Sequence, residues 1–175
     1  MGHTYYIHYG HLVFHVGRGI INTADLPDVH ELLFSIAKRL KAREIVVGGT
    51  EDHVHMLFDL PLTKAISPFV RELKTTATHT LKGRFNGYRG FSWQTGFGYF
   101  SVSRSMYQIV ADYIATQRQH HTKESAGQEF ARLIDLNGAL VCPPFPRELM
   151  HLSTTGMVVR TPAGALPSHG CQPVG

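Results

Sequence analysis

Hydrophobic and polar residues follow two repeating patterns along the first 135 positions, and their order predicts the fold. Branched and aromatic residues bounded by turn residues predict four strands, at 4–16, 44–47, 51–60 and 97–103. Apolar residues spaced three and four apart predict helices, at 27–42, 68–82, 105–123 and 129–135. This order predicts an α+β protein with a ferredoxin-like, RRM-like βαββαβ unit. Its antiparallel four-stranded sheet carries two helices on one face, and an added C-terminal helix follows.

Glycine and proline mark several of the predicted boundaries. Gly48 and Gly49 separate the second and third strands and predict a tight hairpin. Pro68 suits the first turn of the second helix, and Gly83 follows its expected end. Gly10 interrupts the first strand and indicates a bulge. Because both helices of the unit lie on one face, we expect the opposite face to meet solvent, a ligand or a second copy of the chain.

The composition is that of a globular protein with a mildly basic charge. A chain of 175 residues, 43% of them hydrophobic, is long enough for one domain with its own core. A net charge of +4 and a pI near 9.2 agree with a polyanionic partner without proving one. We expect a catalytic domain at 1–141 and a Pro- and Gly-rich tail at 142–175.

Several classes of protein are disfavoured by what the sequence lacks. It contains no apolar run long enough to span a bilayer and no signal-peptide core at its N-terminus. Cys142 and Cys171 form neither a metal motif nor a disulfide framework, which favours the cytoplasm. No phosphate-binding loop or dinucleotide fingerprint is found, so use of ATP or NAD is not expected.

The third predicted strand carries the first candidate chemistry. Side chains alternate between the faces of a strand, so His53 and His55 point the same way while Val54 points into the opposite layer. Two imidazoles about 6–7 Å apart along one face can bind one cation if a third ligand comes from elsewhere. The chain has 12 histidines, so a chance His-x-His pair on a half-exposed strand is the competing interpretation.

The third predicted helix carries a second candidate pair. Tyr113 and Gln117 are four residues apart, and a helix places such positions on one face. Tyrosine is a nucleophile that forms covalent intermediates, and the Gln carbonyl is a hard ligand suited to Mg²⁺ or Mn²⁺. Tyr113 also lies beside an apolar stripe, where a tyrosine is more often a core residue.

Residues 84–96 combine glycines, aromatic residues and arginines. Aromatic rings between arginines stack on unpaired bases while the arginines neutralise phosphates. The same composition suits a loop whose Phe91 and Trp93 fold back onto the core. Both interpretations stay open from the sequence.

Taken together, these segments resemble the single-tyrosine HUH transposases of the smallest bacterial insertion sequences. The resemblance covers roughly residues 5–135 and combines a His-hydrophobe-His strand with a Tyr-x-x-x-Gln helix. It rests on five segments: 11–14 (HLVF), 52–57 (DHVHML), 70–74 (VRELK), 91–98 (FSWQTGFG) and 113–121 (YIATQRQHH).

The resemblance implies a mechanism and a set of partners. His53, His55 and Gln117 would hold one divalent cation, Mg²⁺ or Mn²⁺, and Tyr113 would attack single-stranded DNA to form a 5′-phosphotyrosine. Family members are similar in acting as homodimers, in which the tyrosine helix of one chain can complete the site of the other, and in recognising DNA hairpins. The candidates for phosphate contact are Arg71, Lys74, Arg84, Arg89 and Arg118.

Three other functions agree with parts of the sequence. A non-enzymatic single-stranded nucleic-acid-binding protein shares the ferredoxin-like fold, although its central strands usually carry aromatic residues where this chain has histidines. A domesticated transposase relative would act on host repeats. A replication initiator or relaxase has a similar metal strand, but those proteins are longer. The sequence assigns no general base, and Tyr107 is the nearest other tyrosine to Tyr113 along the helix.

Overall fold

The computed structural model describes residue 3 and residues 5–117 and 126–137. Within them the strands are β1 (Tyr9–Arg18), β2 (Arg43–Gly49), β3 (His53–Asp59), β4 (Ser92–Trp93) and β5 (Gly98–Ser101). The helices are α1 (Leu26–Arg39), α2 (Ile66–Arg84), α3 (Tyr107–Ala115) and α4 (Ala126–Asn137). Single 3₁₀ turns at Thr23–Asp25 and Arg104–Met106 precede α1 and α3. The predicted tail at 142–175 and Arg118 lie outside the described residues.

The strands form an antiparallel sheet in the ferredoxin-like order, which confirms the predicted α+β fold. The order is β2, β3, β1, and then β4 and β5, which pair with successive parts of the far edge of β1. In the central pair, Val13 lies opposite His55 and His15 lies opposite His53. Since β3 has a strand on each side and helices on both faces, all its residues are buried.

The first face of the sheet packs on α1 and α2. Alternate residues of β3, Val54, Met56 and Phe58, join the main core with residues of β1 and the apolar stripes of both helices. Each large apolar side chain removed from water contributes about 1.5–3 kcal/mol, so this layer supplies most of the driving force for folding.

The second face is covered by α3 and α4 of the same chain. Leu57 packs with Ala111 and Ile114 of α3, while Val13 packs with Phe130 and Leu133 of α4. The expectation that this face meets solvent, a ligand or a second copy is therefore wrong for the described residues. The helix expected at 129–135 is longer than predicted, and its apolar stripe completes this layer.

The expected bulge at Gly10 is absent, and a different contact explains the glycine. β1 pairs without a register shift from Gly10 to Val13 against β5, and the irregularity lies between Val16 and Arg18 against β4. A β-carbon built on Gly10 would lie 2.0 Å from the Tyr99 ring. Gly10 therefore leaves room for a neighbouring aromatic ring. Several element boundaries also differ from the prediction. Helix α2 begins at Ile66 and its last turn includes Gly83, α3 ends at Ala115 rather than at 123, and the short β4 is an additional strand.

The aromatic residues of the 84–96 segment fold back onto the core. Tyr88, Phe91 and Trp93 belong to the main apolar cluster, and the rings of Phe91 and Trp93 meet edge to face at 4.9 Å between centroids. The Tyr88 hydroxyl donates to Asp25 at 2.8 Å and accepts from the backbone N–H of Asn22 at 2.9 Å. This result favours the core interpretation over base stacking. Among the described helices, none is both long and apolar enough to cross a membrane.

Candidate metal and tyrosine site

The site begins with the two histidines of β3. His53 and His55 are 0% exposed, and their ring centroids lie 4.9 Å apart at an interplanar angle of 84°. They point to the same face, as the strand period requires, and that face is the one covered by α3 and α4. The central position of β3 fixes the backbone beneath both imidazoles through hydrogen bonds on each side.

A carboxylate from α4 meets both imidazoles. The Nε2 atom of His53 lies 3.5 Å from Glu129 Oε2, and the Nε2 atom of His55 lies 3.5 Å from Glu129 Oε1. One ligand atom from each of the three residues lies within 4.8 Å of the others. Glu129 is 3% exposed, and burial raises the pKa of its carboxyl above the usual range, while the nearby His53 and Arg132 oppose this shift.

Gln117 reaches the same cluster through this carboxylate. Its side-chain Nε2 donates to Glu129 Oε1 at 2.9 Å. Gln117 is 1% exposed, and its buried Oε1 has no hydrogen-bond partner among the described residues. A buried amide oxygen without a donor is costly, and a cation at the cluster would satisfy it. Two imidazole nitrogens with carboxylate and amide oxygens form a donor set that suits Mn²⁺ or Mg²⁺.

The outer nitrogen of His53 is held by the turn before β3. Asp52 Oδ1 lies 2.6 Å from His53 Nδ1, and Thr50 Oγ1 lies 2.9 Å from it. Thr50 also donates to Asp52 at 2.7 Å, and the hydrogen bond from His53 keeps the pKa of the Asp52 carboxyl well below its usual range. When Nδ1–H donates to the carboxylate, the Nε2 lone pair points toward Glu129 and is available to a metal.

The outer nitrogen of His55 is held by a third histidine, on β1. His11 Nε2 lies 2.8 Å from His55 Nδ1, and the two rings stack with centroids 5.0 Å apart. Burial, together with the neighbouring His55, lowers the pKa of His11 to about 3. When His11 Nε2 accepts a hydrogen bond from the Nδ1–H of His55, the lone pair of His55 Nε2 is available to a metal.

Tyr113 lies against the same histidines. Its ring meets the His55 ring edge-on at 5.9 Å and the His11 ring at 6.3 Å between centroids. Its hydroxyl oxygen accepts a hydrogen bond of 3.4 Å from Arg132 Nη2. The helix expected at 105–123 ends at Ala115, so Gln117 lies beyond α3 and the two residues do not share one helix face as predicted. Both side chains still reach the same cluster, Tyr113 through its contact with His55 and Gln117 through Glu129.

Gly48 allows α3 to approach the sheet this closely. A β-carbon built on Gly48 would lie 2.3 Å from the carbonyl oxygen of Ile114, the residue after Tyr113. Ile114 is itself buried in the layer between α3 and the sheet. A glycine of β2 thus brings the backbone of the tyrosine helix into contact with the backbone of the sheet.

A cleft of about 610 Å³ opens beside the tyrosine, between α3, α4 and the edge of the sheet. Its polar lining comes from His11, Ser101, Ser103, Tyr113, Arg132 and Asn137. Its apolar walls include Phe100, Val102, Met106, Ile109, Val110, Leu133 and Leu136. Tyr113 therefore lies in the wall of a cleft that is open to solvent.

The predicted phosphate contacts lie away from this cleft. Arg71, Arg84 and Arg89 are exposed, so they are available to a nucleic acid. The Lys74 ammonium donates to the carbonyl oxygens of Gln94 and Gly96, at 2.6 and 2.8 Å, and so holds the loop before β5. Contact of these four residues with DNA stays a prediction, and Arg118 lies outside the described residues.

Sequence reasoning missed Glu129 and Arg132, the two α4 residues at the site. One signal was present for Glu129, which falls on the apolar stripe of α4 together with Ala126, Phe130 and Leu133. An acidic residue on an apolar stripe needs a buried partner. No comparable signal marked Arg132, because an exposed arginine on a helix is ordinary.

The sequence places the chain in a family of transposases. The family model described as "Transposase IS200 like" matches residues 4–117, and the chain belongs to this family. A crystal structure of a Deinococcus radiodurans R1 protein designated a transposase shares the fold, with a TM-score of 0.51 and 19% identity; the match covers 67% of this chain and 96% of that one. A REP-associated tyrosine transposase bound to a REP hairpin matches with a TM-score of 0.47 and 18% identity, over 69% and 74% of the two chains. No curated protein sequence matches the chain.

Proposed function

We propose that the protein is a single-tyrosine HUH transposase that cleaves and rejoins single-stranded DNA at the ends of an insertion sequence. The observation that carries the proposal is the meeting of three side chains, His53, His55 and Glu129, within 4.8 Å, with Tyr113 edge-on to His55. A strand, a helix and a second helix from distant parts of the chain supply these groups. A chance His-x-His pair would have no reason to attract a buried carboxylate.

The proposed metal ligands are His53, His55 and Glu129, with the Gln117 amide oxygen as a further donor. The sequence indicated Gln117 as the third ligand, and Glu129 now takes that position because its carboxylate lies 3.5 Å from both imidazoles. Gln117 also orients the carboxylate through its Nε2 hydrogen bond. A bound Mg²⁺ or Mn²⁺ would supply Lewis-acid polarisation of the scissile phosphate.

Tyr113 is the proposed nucleophile. Its hydroxyl oxygen forms a bond to phosphorus while the bond from phosphorus to the 3′ oxygen breaks, which leaves a 5′-phosphotyrosine and a 3′-hydroxyl. The phenolic proton leaves to solvent and the 3′ oxygen takes one up. One phosphodiester replaces another, so the reverse step rejoins DNA without ATP.

The proposed substrate is single-stranded DNA that contains a hairpin, and the proposed assembly is a homodimer. The exposed Arg71, Arg84 and Arg89 are positioned to contact phosphates, and the core burial of Phe91 and Trp93 leaves charge as the main source of affinity in that region. In the described chain α3 packs on its own sheet. Exchange of α3 between partners is tested by mixing Tyr113→Phe protein with His53→Ala protein. Only with exchange does one site of the mixed dimer combine an intact His53 with an intact Tyr113, so only exchange restores cleavage.

A denaturing gel with a labelled single-stranded hairpin and Mn²⁺ tests the proposed function. We expect a covalent protein–DNA adduct from the wild-type protein and none from Tyr113→Phe. The matched control is Tyr107→Phe, which removes a hydroxyl of the same helix that donates to the backbone carbonyl of Glu44. Chelation of divalent ions should abolish the adduct. An adduct that persists in Tyr113→Phe or after chelation would refute the proposal, and cleavage of host repeats alone would favour a domesticated relative.

A further inference from the structure

Two functional side chains of α4 lie one helical turn apart. Glu129 and Arg132 are separated by three positions, a spacing that places side chains on neighbouring parts of one helix face. Glu129 is buried against the two histidines, while Arg132 is exposed at the mouth of the cleft. The helix therefore presents a carboxylate to the histidines and a guanidinium to the tyrosine.

The guanidinium lies at the atom that is proposed to react. Arg132 Nη2 is 3.4 Å from the Tyr113 hydroxyl oxygen, and both groups line the cleft of about 610 Å³. A hydrogen bond of this length is weak, and contacts of catalytic groups commonly tighten when substrate binds. A guanidinium has five N–H donors in a planar fork, so one group can contact a phenolic oxygen and a phosphate oxygen together.

We propose that Arg132 is a catalytic residue, one that stabilises the negative charge on the Tyr113 oxygen and on a non-bridging oxygen of the scissile phosphate during attack. This inference rests on the proposed function. Arg132 keeps its protons throughout, because an arginine side chain does not deprotonate in a protein. The bond changes are those of the tyrosine reaction, and Arg132 supplies only charge and geometry.

The cleft supports this role by its composition. Its walls are mainly apolar. In the described residues, its polar lining besides Tyr113 consists of His11, Arg132, Ser101, Ser103 and Asn137. Low-dielectric walls strengthen the interaction between a fixed cation and a developing negative charge. Among the described residues that line the cleft, Arg132 is the one with a charged side chain.

The test compares Arg132→Ala, Arg132→Gln and Arg132→Lys with the wild-type protein. The rate of adduct formation is measured in single-turnover experiments with the labelled hairpin and Mn²⁺. Removal of one charge-stabilising donor typically slows a reaction about 10²–10³-fold, which is the loss expected for Arg132→Ala and Arg132→Gln. Arg132→Lys should recover part of the rate. Arg39→Ala is the matched control, because Arg39 is an exposed arginine at the end of α1.

Chemical rescue separates a catalytic from a structural role. Guanidinium ion at millimolar concentration should accelerate Arg132→Ala but not the wild-type protein, and sodium chloride at the same concentration should not. Binding of Mn²⁺, followed by electron paramagnetic resonance, should be unchanged in Arg132→Ala. Loss of Mn²⁺ binding, or a slow Arg132→Ala protein that guanidinium fails to accelerate, would overturn the inference in favour of a structural role.

The failures of the two proposals are distinguishable. If Tyr113→Phe is inactive while Arg132→Ala forms the adduct at the wild-type rate, only the inference about Arg132 fails. If Tyr113→Phe forms the adduct, the proposed nucleophile is wrong, and the inference fails with it.

Discussion

The Nε2 atom of His11 and the Nδ1 atom of His55 lie 2.8 Å apart in the interior of the protein, where His11 is only 4% exposed. One imidazole on β1 thus holds another on β3 through the ring nitrogen that faces away from Glu129. An outer hydrogen bond of this kind fixes both the tautomer and the direction of a metal-binding histidine. The Asp52 carboxylate does the same for His53.

We predict that His11→Phe weakens Mn²⁺ binding about 10–100-fold, the usual cost of losing such an outer partner. The reason is that the His55 Nδ1–H loses its acceptor, so the ring is no longer held in one tautomer. Titration of Mn²⁺ by electron paramagnetic resonance measures the effect. The control is His15→Phe, since His15 lies beside His53 with ring centroids 5.6 Å apart and the outer nitrogen of His53 is held by Asp52 and Thr50. Equal affinities in His11→Phe and wild-type protein would contradict the prediction.

Glu129→Gln should separate folding stability from metal binding. Burial raises the pKa of Glu129, so the folded state binds its proton more readily than the unfolded chain does, and stability falls as pH rises through that range. At neutral pH an uncharged side chain of the same shape should therefore raise the melting temperature of the metal-free protein. The same change should abolish the rise in melting temperature that Mn²⁺ produces in the wild-type protein. Thermal unfolding at pH 7 with and without Mn²⁺ measures both effects. If metal-free Glu129→Gln protein melts at a lower temperature than metal-free wild type, the buried charge of Glu129 does not destabilise the fold and the prediction is wrong.

The lowered pKa of the Lys74 ammonium should make the stability of the protein depend on pH. Burial lowers the pKa of Lys74 from 10.5 to about 8, although two carbonyl oxygens accept hydrogen bonds from its ammonium. Between these values the unfolded chain holds the proton that the folded protein has lost, so stability rises with pH in this window. The free energy of unfolding of wild type, relative to Lys74→Met, should increase by about 1 kcal/mol from pH 8 to pH 10.5, after allowance for solvent screening. Urea unfolding at several pH values measures it, and a constant difference would refute the prediction.

Substitutions at two residues of the 84–96 segment should have opposite effects, one on stability alone and the other on DNA affinity alone. Phe91 is 2% exposed, so Phe91→Leu should lower the free energy of unfolding by about 1–1.5 kcal/mol and leave DNA affinity unchanged. Arg89 is exposed, so Arg89→Ala should leave stability unchanged, weaken DNA binding and reduce the salt slope by about 1. Urea unfolding and DNA titrations at several salt concentrations distinguish the two. A loss of DNA affinity in Phe91→Leu would restore the base-stacking interpretation.

The parts of the site that the sequence predicts are those that depend on the geometry of a single element. The period of a strand places His53 and His55 on one face, as the structure has them. The helix period predicted one face for Tyr113 and Gln117, but α3 ends at Ala115 and Gln117 reaches the site from beyond it. The periodicity of one element does not determine how another helix is rotated about its axis when it packs on the sheet. Glu129 and Arg132 enter the site through that packing, so neither was predicted.

The covering of the second sheet face was missed for the same kind of reason. Its contacts join residues distant in the chain, such as Val13 with Phe130 and Leu57 with Ile114, and each residue alone looks like an ordinary apolar position. A glycine shows most clearly that contacts between distant residues cannot be predicted from the local sequence. Gly10 resembles a strand interruption in the sequence, yet its absent side chain makes room for Tyr99, which lies 89 positions away.

Gly48 has no reactive side chain, yet it sets the distance between the proposed nucleophile and the proposed metal-binding side chains. Replacement by alanine would lift the Tyr113 segment away from the pair of imidazoles, because a single methyl group already overlaps the oxygen of Ile114. We therefore expect some inactive variants of this enzyme, natural or made in the laboratory, to carry a substitution only at Gly48. All their reactive side chains would be intact.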